Sequence, residues 1–301
     1  MIEARELTRR FGENVAADSV SFTIGQGEIV GLLGHNGAGK TTVMKLLTGF
    51  LEPSSGSAEI DGQDVTEHAA EVQRKVGYLP ETVPLYSEMT VVDYLEFAAT
   101  VRGVPASERS SAVSRVVEAT GLNQHALAVI DTLSRGFKQR VGVAQAILHA
   151  PRFLILDEPT SGLDPAQTQE MRDLIRRLAE SATVILSTHI MQEVDAVCDR
   201  VMILRAGELA LDEKLADLQR SERLYVGTDA DREALAEAVG ERVDLDTADG
   251  GWFLTFDRTP GDDLSAEVAA RLVRSGIAFH ALQREKRDLE TVFRRVSGTD
   301  V

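Results

Sequence analysis

Gly34-His35-Asn36-Gly37-Ala38-Gly39-Lys40-Thr41-Thr42 is the stretch on which the reading of this chain turns. It follows the apolar run Ile29-Val30-Gly31-Leu32-Leu33, so a strand leads into a glycine-rich loop that opens a helix. Glycines, a lysine and a hydroxyl stand at the spacing of a phosphate cradle. The glycines let successive backbone N–H groups curl around the α and β phosphates, Lys40 reaches the β and γ phosphates, and Thr41 places its hydroxyl on Mg²⁺. The helix expected over residues 40–48 aims its positive end at the same anion. All nine residues are candidate contacts to a nucleoside triphosphate.

Working outward, Phe153-Leu154-Ile155-Leu156-Asp157-Glu158 is four apolar residues ending in two carboxylates. That is the pattern of a buried parallel strand delivering acid to the carboxyl edge of a sheet. Asp157 is the candidate magnesium carboxylate, and Glu158 the candidate general base that polarises an attacking water. Two more segments carry information: Leu133-Ser134-Arg135-Gly136-Phe137-Lys138-Gln139-Arg140 before an apolar helical stretch, and Ser187-Thr188-His189 after the β-rich run Thr183-Val184-Ile185-Leu186.

Together these segments resemble the ATP-binding subunit of ABC transporters. The resemblance covers about residues 2 to 220 and keeps every element in order: phosphate loop, switch loop, signature, magnesium carboxylate, the loop Ser161-Gly162-Leu163-Asp164, and switch histidine. It implies an α/β P-loop ATPase domain with a parallel sheet core, an antiparallel β subdomain and a helical subdomain that carries the signature. It implies ATP and Mg²⁺ as cofactors, and ATP hydrolysis coupled to transport through a membrane.

Residue roles follow from the same resemblance. Phe11, in Leu7-Thr8-Arg9-Arg10-Phe11-Gly12, stands where an aromatic stacks on adenine, and an aromatic just before glycine is otherwise hard to place in a core. His189 would contact the γ-phosphate and hold the water. Ser134 and Gly136 would close over the γ-phosphate held by a partner's phosphate loop, with Asp164 in the loop beside the nucleotide. A homodimer with two composite sites is therefore expected. Arg135 and Phe137 depart from the usual signature, and Glu81 in Gly77-Tyr78-Leu79-Pro80-Glu81 replaces a glutamine that commonly senses magnesium and γ-phosphate. A carboxylate there can still bind magnesium or its water, with more charge than an amide.

Beyond it, Pro84, Leu85, Tyr86 and Met89 offer an apolar, part-aromatic patch, so a separate-chain membrane permease is expected to dock near Glu81 to Met89. Residues 78–86, 133–140 and 284–293 are similar to the ATPases of multidrug or gliding-motility-type exporters. His35, where proline is frequent, is also similar to ATPases of copper-enzyme maturation exporters.

Composition bounds these expectations. The 301 residues suffice for one large domain and a smaller one, and 43% hydrophobic with 27% charged residues is ordinary for a globular protein. A formal net charge of −16 opposes a polyphosphate backbone as main partner, so no nucleic acid is expected. The N-terminus lacks a basic region followed by an apolar core, and no run approaches ~18 apolar residues. The expected location is cytoplasmic, peripheral on the inner face of the cell membrane. The single cysteine, Cys198, reads as a small residue packed on a helix face.

Two domains are expected, 1–220 and 221–301. In the first, residues 4–8, 19–24 and 57–60 read as antiparallel strands around the turn at 25–28, and residues 91–148 as helical, with Val92, Leu95, Ala99, Val113, Val116 and Val117 as its apolar face. After about Leu218 the pattern becomes strand 224–226, helix 231–239, strands 242–246 and 252–256, helix 264–274, strand 277–282 and a last helix 289–296. That order is β-α-β-β-α-β, a small α+β ferredoxin-like domain, expected to be a packing or dimerising appendage ahead of a ligand sensor. Two other classes compete with the transporter reading. A soluble ABC ATPase acting on nucleic acid or ribosomes would bring a coiled coil or a second cassette, and a phosphoryl kinase would leave signature and switch histidine without a purpose. Cargo and transport direction are not encoded in this chain.

Overall fold

The computed structural model describes residues 1–218, 220–240, 243–256, 264–286 and 289–297. The chain forms two compact units, Met1–Leu215 and Ala216–Arg295. Arg242, Arg287 and Asp288, which the sequence places in a strand and in the exporter-like C-terminal segment, lie outside the described residues.

The first unit begins with β1 (Ile2–Phe11) and β2 (Asn14–Ile24), a hairpin that turns at Gly12, whose φ is +60°. The turn at residues 25–28 therefore does not join two strands of this sheet, as the sequence suggested. It hands the chain to β3 (Ile29–Leu33), which leads through the phosphate loop into α1 (Lys40–Leu47). Next come β4 (Ser55–Ile60), β5 (Gln63–Asp64), α2 (Ala69–Lys75), β6 (Val76–Leu79), α3 (Val91–Val101), α4 (Ala106–Ala119) and α5 (Arg135–Ile147). The unit closes with β7 (Phe153–Asp157), α6 (Pro165–Ala179), β8 (Thr183–Thr188), α7 (Met191–Val197), β9 (Arg200–Arg205), β10 (Glu208–Lys214) and α8 (Leu215–Leu218), the last of which runs across the boundary.

Two sheets result. β2-β1-β4-β5 is antiparallel. The other runs β10-β9-β3-β8-β7-β6, parallel from β9 to β6, with β10 folded back on the edge. Every residue of β3, β7 and β8 is buried, which is why their sequences are continuous apolar runs and do not alternate. Register then does the positioning: Leu33 lies beside Thr188, and Asp157 beside Ser187, so loops from three neighbouring strands leave the sheet at one edge. Cys198 packs over Gly31 of β3, where an added Cβ would lie 2.9 Å from its Sγ, and burial raises its thiol pKa. It is the packed small residue the sequence implied.

The helical subdomain has its own core, in which Leu95, Ala99, Val113, Val116 and Val117 meet Val141 and Ala144, with Val92 half-buried at its margin. Residues 91–148 are thus three helices with connecting turns. In the second unit, β11 (Arg220–Gly227), α9 (Arg232–Val239), β12 (Val243–Ala248), β13 (Gly251–Phe256), α10 (Leu264–Arg274), β14 (Ala281–Lys286) and α11 (Leu289–Ser297) follow in turn. The sheet order β12-β13-β11-β14, antiparallel throughout, is the ferredoxin-like arrangement. Leu264, Val268 and Leu272, four apart on α10, are buried against Leu224, Val226 and Leu254 of the sheet. The last strand begins at Ala281, later than the 277 expected. Gly227 ends β11 opposite Ala281, so Ile277 and Phe279 pack on the core from a segment with no ladder partner.

Candidate active site

The phosphate loop is locked by close backbone approach. Gly39 is the N-cap of α1 at φ +105°, and a Cβ there would sit 2.2 Å from the Ala16 carbonyl oxygen of β2. A Cβ at Gly34 would lie 2.7 Å from the Leu204 carbonyl oxygen of β9. Both positions need glycine for space, and Gly39 needs it for torsion as well. Lys40 is buried; its Nζ donates to the carbonyl oxygens of Gly34 at 2.7 Å and His35 at 3.3 Å, and lies 3.5 Å from Oε1 of Glu158.

Glu158 holds an unusual backbone. Its φ is +51°, in the left-handed region that a non-glycine residue enters at a cost, and its N–H donates to the Ser187 hydroxyl at 2.9 Å. The side chain is almost wholly buried, with Nδ1 of half-exposed His189 3.1 Å from Oε1 and 3.0 Å from Oε2. One carboxylate is thus set between an ammonium and an imidazole. Such a group can accept a proton or orient a water without leaving its place.

Asp157 is fully buried. Its Oδ1 accepts the Ser187 hydroxyl, and its Oδ2 has no hydrogen-bond partner. A buried carboxylate oxygen without a donor is costly, and this one stands at the sheet edge in line with the phosphate loop. A divalent cation or a water of its shell would satisfy it. Among the described residues there is no cluster of three His, Cys, Asp or Glu to cage a metal. Mg²⁺ commonly needs only one or two carboxylates when substrate phosphates complete its shell, so Asp157 and Thr41 fit that ion.

A cleft of about 440 Å³ gathers Phe11, Asn14, Val15, Ala16, residues 35–42, Glu81 and Glu158. It brings together the expected His35, Asn36, Gly37, Ala38, Gly39, Lys40, Thr41 and Thr42 with exposed Glu81 and Phe11. Phe11 is 45% exposed and carries the Arg9 guanidinium 4.7 Å from its ring centroid, leaving the other face open to stacking. His189 reaches the cleft only through Glu158.

Ser134, Gly136 and Asp164 do not line it. Ser134 is exposed as the N-cap of α5, its hydroxyl accepting from Phe137 N at 3.4 Å. Gly136 faces Gln167 of α6, where a Cβ would come 2.5 Å from Oε1. Asp164 caps α6 through Gln167 N at 2.9 Å, and the Arg135 guanidinium lies over Gly162 in the same loop. The start of the signature helix and this loop form one joined surface, separate from the cleft of their own chain.

Several residues escaped the sequence reading. Glu193 on α7 is buried and accepts hydroxyls from Thr160 and, at 2.7 Å, from Thr188. Those threonines lie two residues after Glu158 and one before His189, so one carboxylate ties the two loops together. An acid four residues after a histidine gave no sign of this, because the bond to Thr160 crosses 33 positions. Ser187 likewise bridges Asp157 and Glu158. Of the apolar patch after Glu81, Leu85 and Met89 pack partly on the helical core, while Tyr86 remains 49% exposed, edge-on to exposed Phe97 at 5.4 Å. A neighbouring groove of about 470 Å³ is lined by Phe50, Val101, Tyr78 and Gln145 among others. Burial, with the charges of Asp157 and Glu81, pushes the Tyr78 phenol pKa up, and its hydroxyl has no partner.

Known proteins share this architecture. A family model described as ABC transporter matches residues 17–161. The ABC transporter ATP-binding protein YxlF of Bacillus subtilis is 33% identical over 298 residues, covering 98% of this chain and 99% of its own. The bacitracin transport ATP-binding protein BcrA of Bacillus licheniformis is 36% identical over 228 residues, 75% of this chain and 74% of its own. A solved structure, the ATP-binding subunit of an ABC transporter, superposes with a TM-score of 0.66 at 30% identity, over 72% of this chain and 91% of its own. With full-length identity to one relative and the phosphate loop, carboxylates and histidine assembled at one sheet edge, this chain belongs to the ATP-binding subunits of ABC transporters.

Proposed function

We propose that this subunit binds ATP with Mg²⁺ in the cleft at Lys40, dimerises with a second copy on doing so, and drives a separate membrane permease, in the direction of export. The placement of Glu158 between Lys40 and His189 carries the catalytic part of the reading. Lys40 and the loop N–H groups hold the β and γ phosphates, and Asp157 with Thr41 holds the cation, with Glu81 close to it. Held there, Mg²⁺ would supply charge neutralisation to the phosphates. Glu158 accepts the proton of a water that attacks the γ-phosphorus as the bond to the bridging oxygen breaks. His189 fixes the carboxylate and the γ-phosphate together.

The dimer is supported by what the cleft lacks. Ser134, Gly136 and Asp164 lie on a surface of their own, which a head-to-tail copy related by a two-fold axis would bring over the γ-phosphate. The exposed Tyr86 and Phe97, beside the groove at Phe50 and Val101, suit an apolar cytoplasmic helix of the permease. No described helix is long and apolar enough to cross a membrane, which fits a permease on another chain and a peripheral place on the inner membrane face. The relative named for bacitracin transport supports a transport role.

Two variants test this. Glu158→Gln keeps the phosphate loop and Asp157, so ATP still binds while turnover falls by at least ~10²-fold and dimers accumulate. Wild-type turnover in that variant would remove Glu158 from the role. Mixing Ser134→Arg chains with Lys40→Ala chains leaves one intact composite site per heterodimer, so hydrolysis partly returns. Demonstrated heterodimers without any recovered hydrolysis would end the shared-site reading.

A further inference from the structure

A second cleft, of about 410 Å³, opens between α2, α3, α4 and the turn after α5, lined by Arg74, Arg102, Arg115, Glu108 and His149. None of these residues serves the nucleotide cleft. In a chain of net charge −16, three arginines gathered around a single acid need a physical account. Among the described residues, none of the three lies within ion-pair distance of a carboxylate. Their bonds inside the chain are few and long: Arg102 to the Gln73 carbonyl and Arg115 to the Leu148 carbonyl, both at 3.4 Å. Most of their guanidinium donors are therefore without a partner among the described residues.

His149 adds hydrogen-bonding capacity and no charge. Its Nε2 meets the Val76 carbonyl at 3.2 Å, its Nδ1 has no partner, and burial together with the Arg102 charge lowers its pKa to about 4. Glu108 is the only acid on the lining, and it is exposed. Three guanidinium charges against one carboxylate leave a formal excess of two, with Arg102 half-buried and Arg74 and Arg115 exposed. A single side-chain carboxylate would answer only half of that excess. A tetrahedral phosphate dianion matches both the charge and the forked donor geometry of arginine.

We infer that this cleft is a second anion site, selective for a terminal phosphate group and independent of the ATP site. The phosphate is either free inorganic phosphate or the headgroup of a phosphatidic-acid-type lipid, which share that group. Occupancy neutralises Arg102 and so raises the pKa of His149, the group facing Arg74 on α2, Arg102 on α3 and Arg115 and Glu108 on α4.

The test keeps the phosphate loop filled with a non-hydrolysable ATP analogue and Mg²⁺. Inorganic phosphate is then titrated by calorimetry, and phosphatidylcholine vesicles with and without phosphatidic acid are tested by co-sedimentation. We expect saturable binding in at least one arm, weakened about ten- to a hundredfold by Arg102→Gln and by Arg115→Gln, as loss of a charge-assisted bond implies. Binding of soluble phosphate identifies the free source, and binding of phosphatidic-acid vesicles alone identifies the lipid. The His149 ring proton resonances should titrate at higher pH with the anion bound. Arg115 is exposed, so its variant tests the site even if Arg102→Gln does not fold. Absence of binding in both arms, binding unchanged in a folded Arg115→Gln, or capture of an oligoglutamate peptide in place of phosphate would each overturn the assignment.

Discussion

Replacing Glu193 by glutamine should loosen the loops that carry Glu158 and His189, the proposed catalytic pair, without changing either residue. The carboxylate is 4% exposed and accepts a hydroxyl on each oxygen, from Thr160 and Thr188; the Thr188 hydroxyl in turn accepts the Ile190 N–H at 3.0 Å. An amide keeps one acceptor and puts a donor where the other stood. One threonine hydroxyl then loses a bond to a charged acceptor, at a cost of about 1.5–3 kcal/mol. For a unit of this size that lowers the melting temperature by roughly 3–12 °C. Catalysis should suffer beyond stability, because Glu158 and His189 are set by the loops that the threonines anchor, and a shift of ~1 Å can cost ~10²-fold in rate. The assay pairs thermal unfolding with steady-state hydrolysis, adding Thr160→Val alone and with Glu193→Gln. A positioning role requires kcat to fall more than KM rises and the two substitutions to couple. Unchanged kcat and melting temperature in Glu193→Gln, or strict additivity with Thr160→Val, would refute the reasoning.

Gly39→Ala should abolish nucleotide binding, since φ of +105° and a Cβ 2.2 Å from the Ala16 oxygen both forbid the native loop, and calorimetry with ATP reads the loss directly. Retained affinity would mean the loop can move away from β2. His149 predicts a pH effect on stability. Its folded pKa of about 4 lies below the ordinary 6.5, so the unfolded chain binds the proton first; stability is full above about 6.5 and declines as pH falls toward 4. His149→Gln should flatten that decline by on the order of 1–2 kcal/mol, after discounting for partial exposure. Chemical denaturation across that range shows it, and an unaltered slope would place the ring in solvent.

The parts of the fold legible in sequence are those where local pattern and long-range role coincide. Phe153-Leu154-Ile155-Leu156 reads as a doubly covered strand once it is paired with the phosphate loop, and its two terminal acids are then expected at the sheet edge. The ferredoxin-like order was likewise readable, because Leu264, Val268 and Leu272 repeat at helical spacing. What escaped was pairing between distant residues. The start of β14 depends on where β11 ends, a register that no local property of Ile277 or Phe279 records. The turn at residues 25–28 looks like a hairpin turn because glycine spacing reports a bend and not the sheet on its far side. Glu193 resembles any surface acid of a helix until α7 is packed against β8.

The strand order β10-β9-β3-β8-β7-β6 has a consequence for how this chain is made. β3 is complete once Leu33 has been synthesised, yet both of its neighbours come much later, β8 ending at Thr188 and β9 at Arg205. At ribosomal speeds of about 5–20 residues per second, an interval of roughly 155 residues means ~8–30 s in which a wholly apolar strand waits without a partner. The hairpin of β1 and β2 can form meanwhile from local contacts, but the glycine loop gains one backbone partner only after β9, where the Gly207 N–H donates to the Ala38 carbonyl at 3.0 Å. The site's neighbours thus arrive late in synthesis, and nucleotide binding is expected to be a correspondingly late event in the birth of this chain, following closure of β8 and β9 on β3.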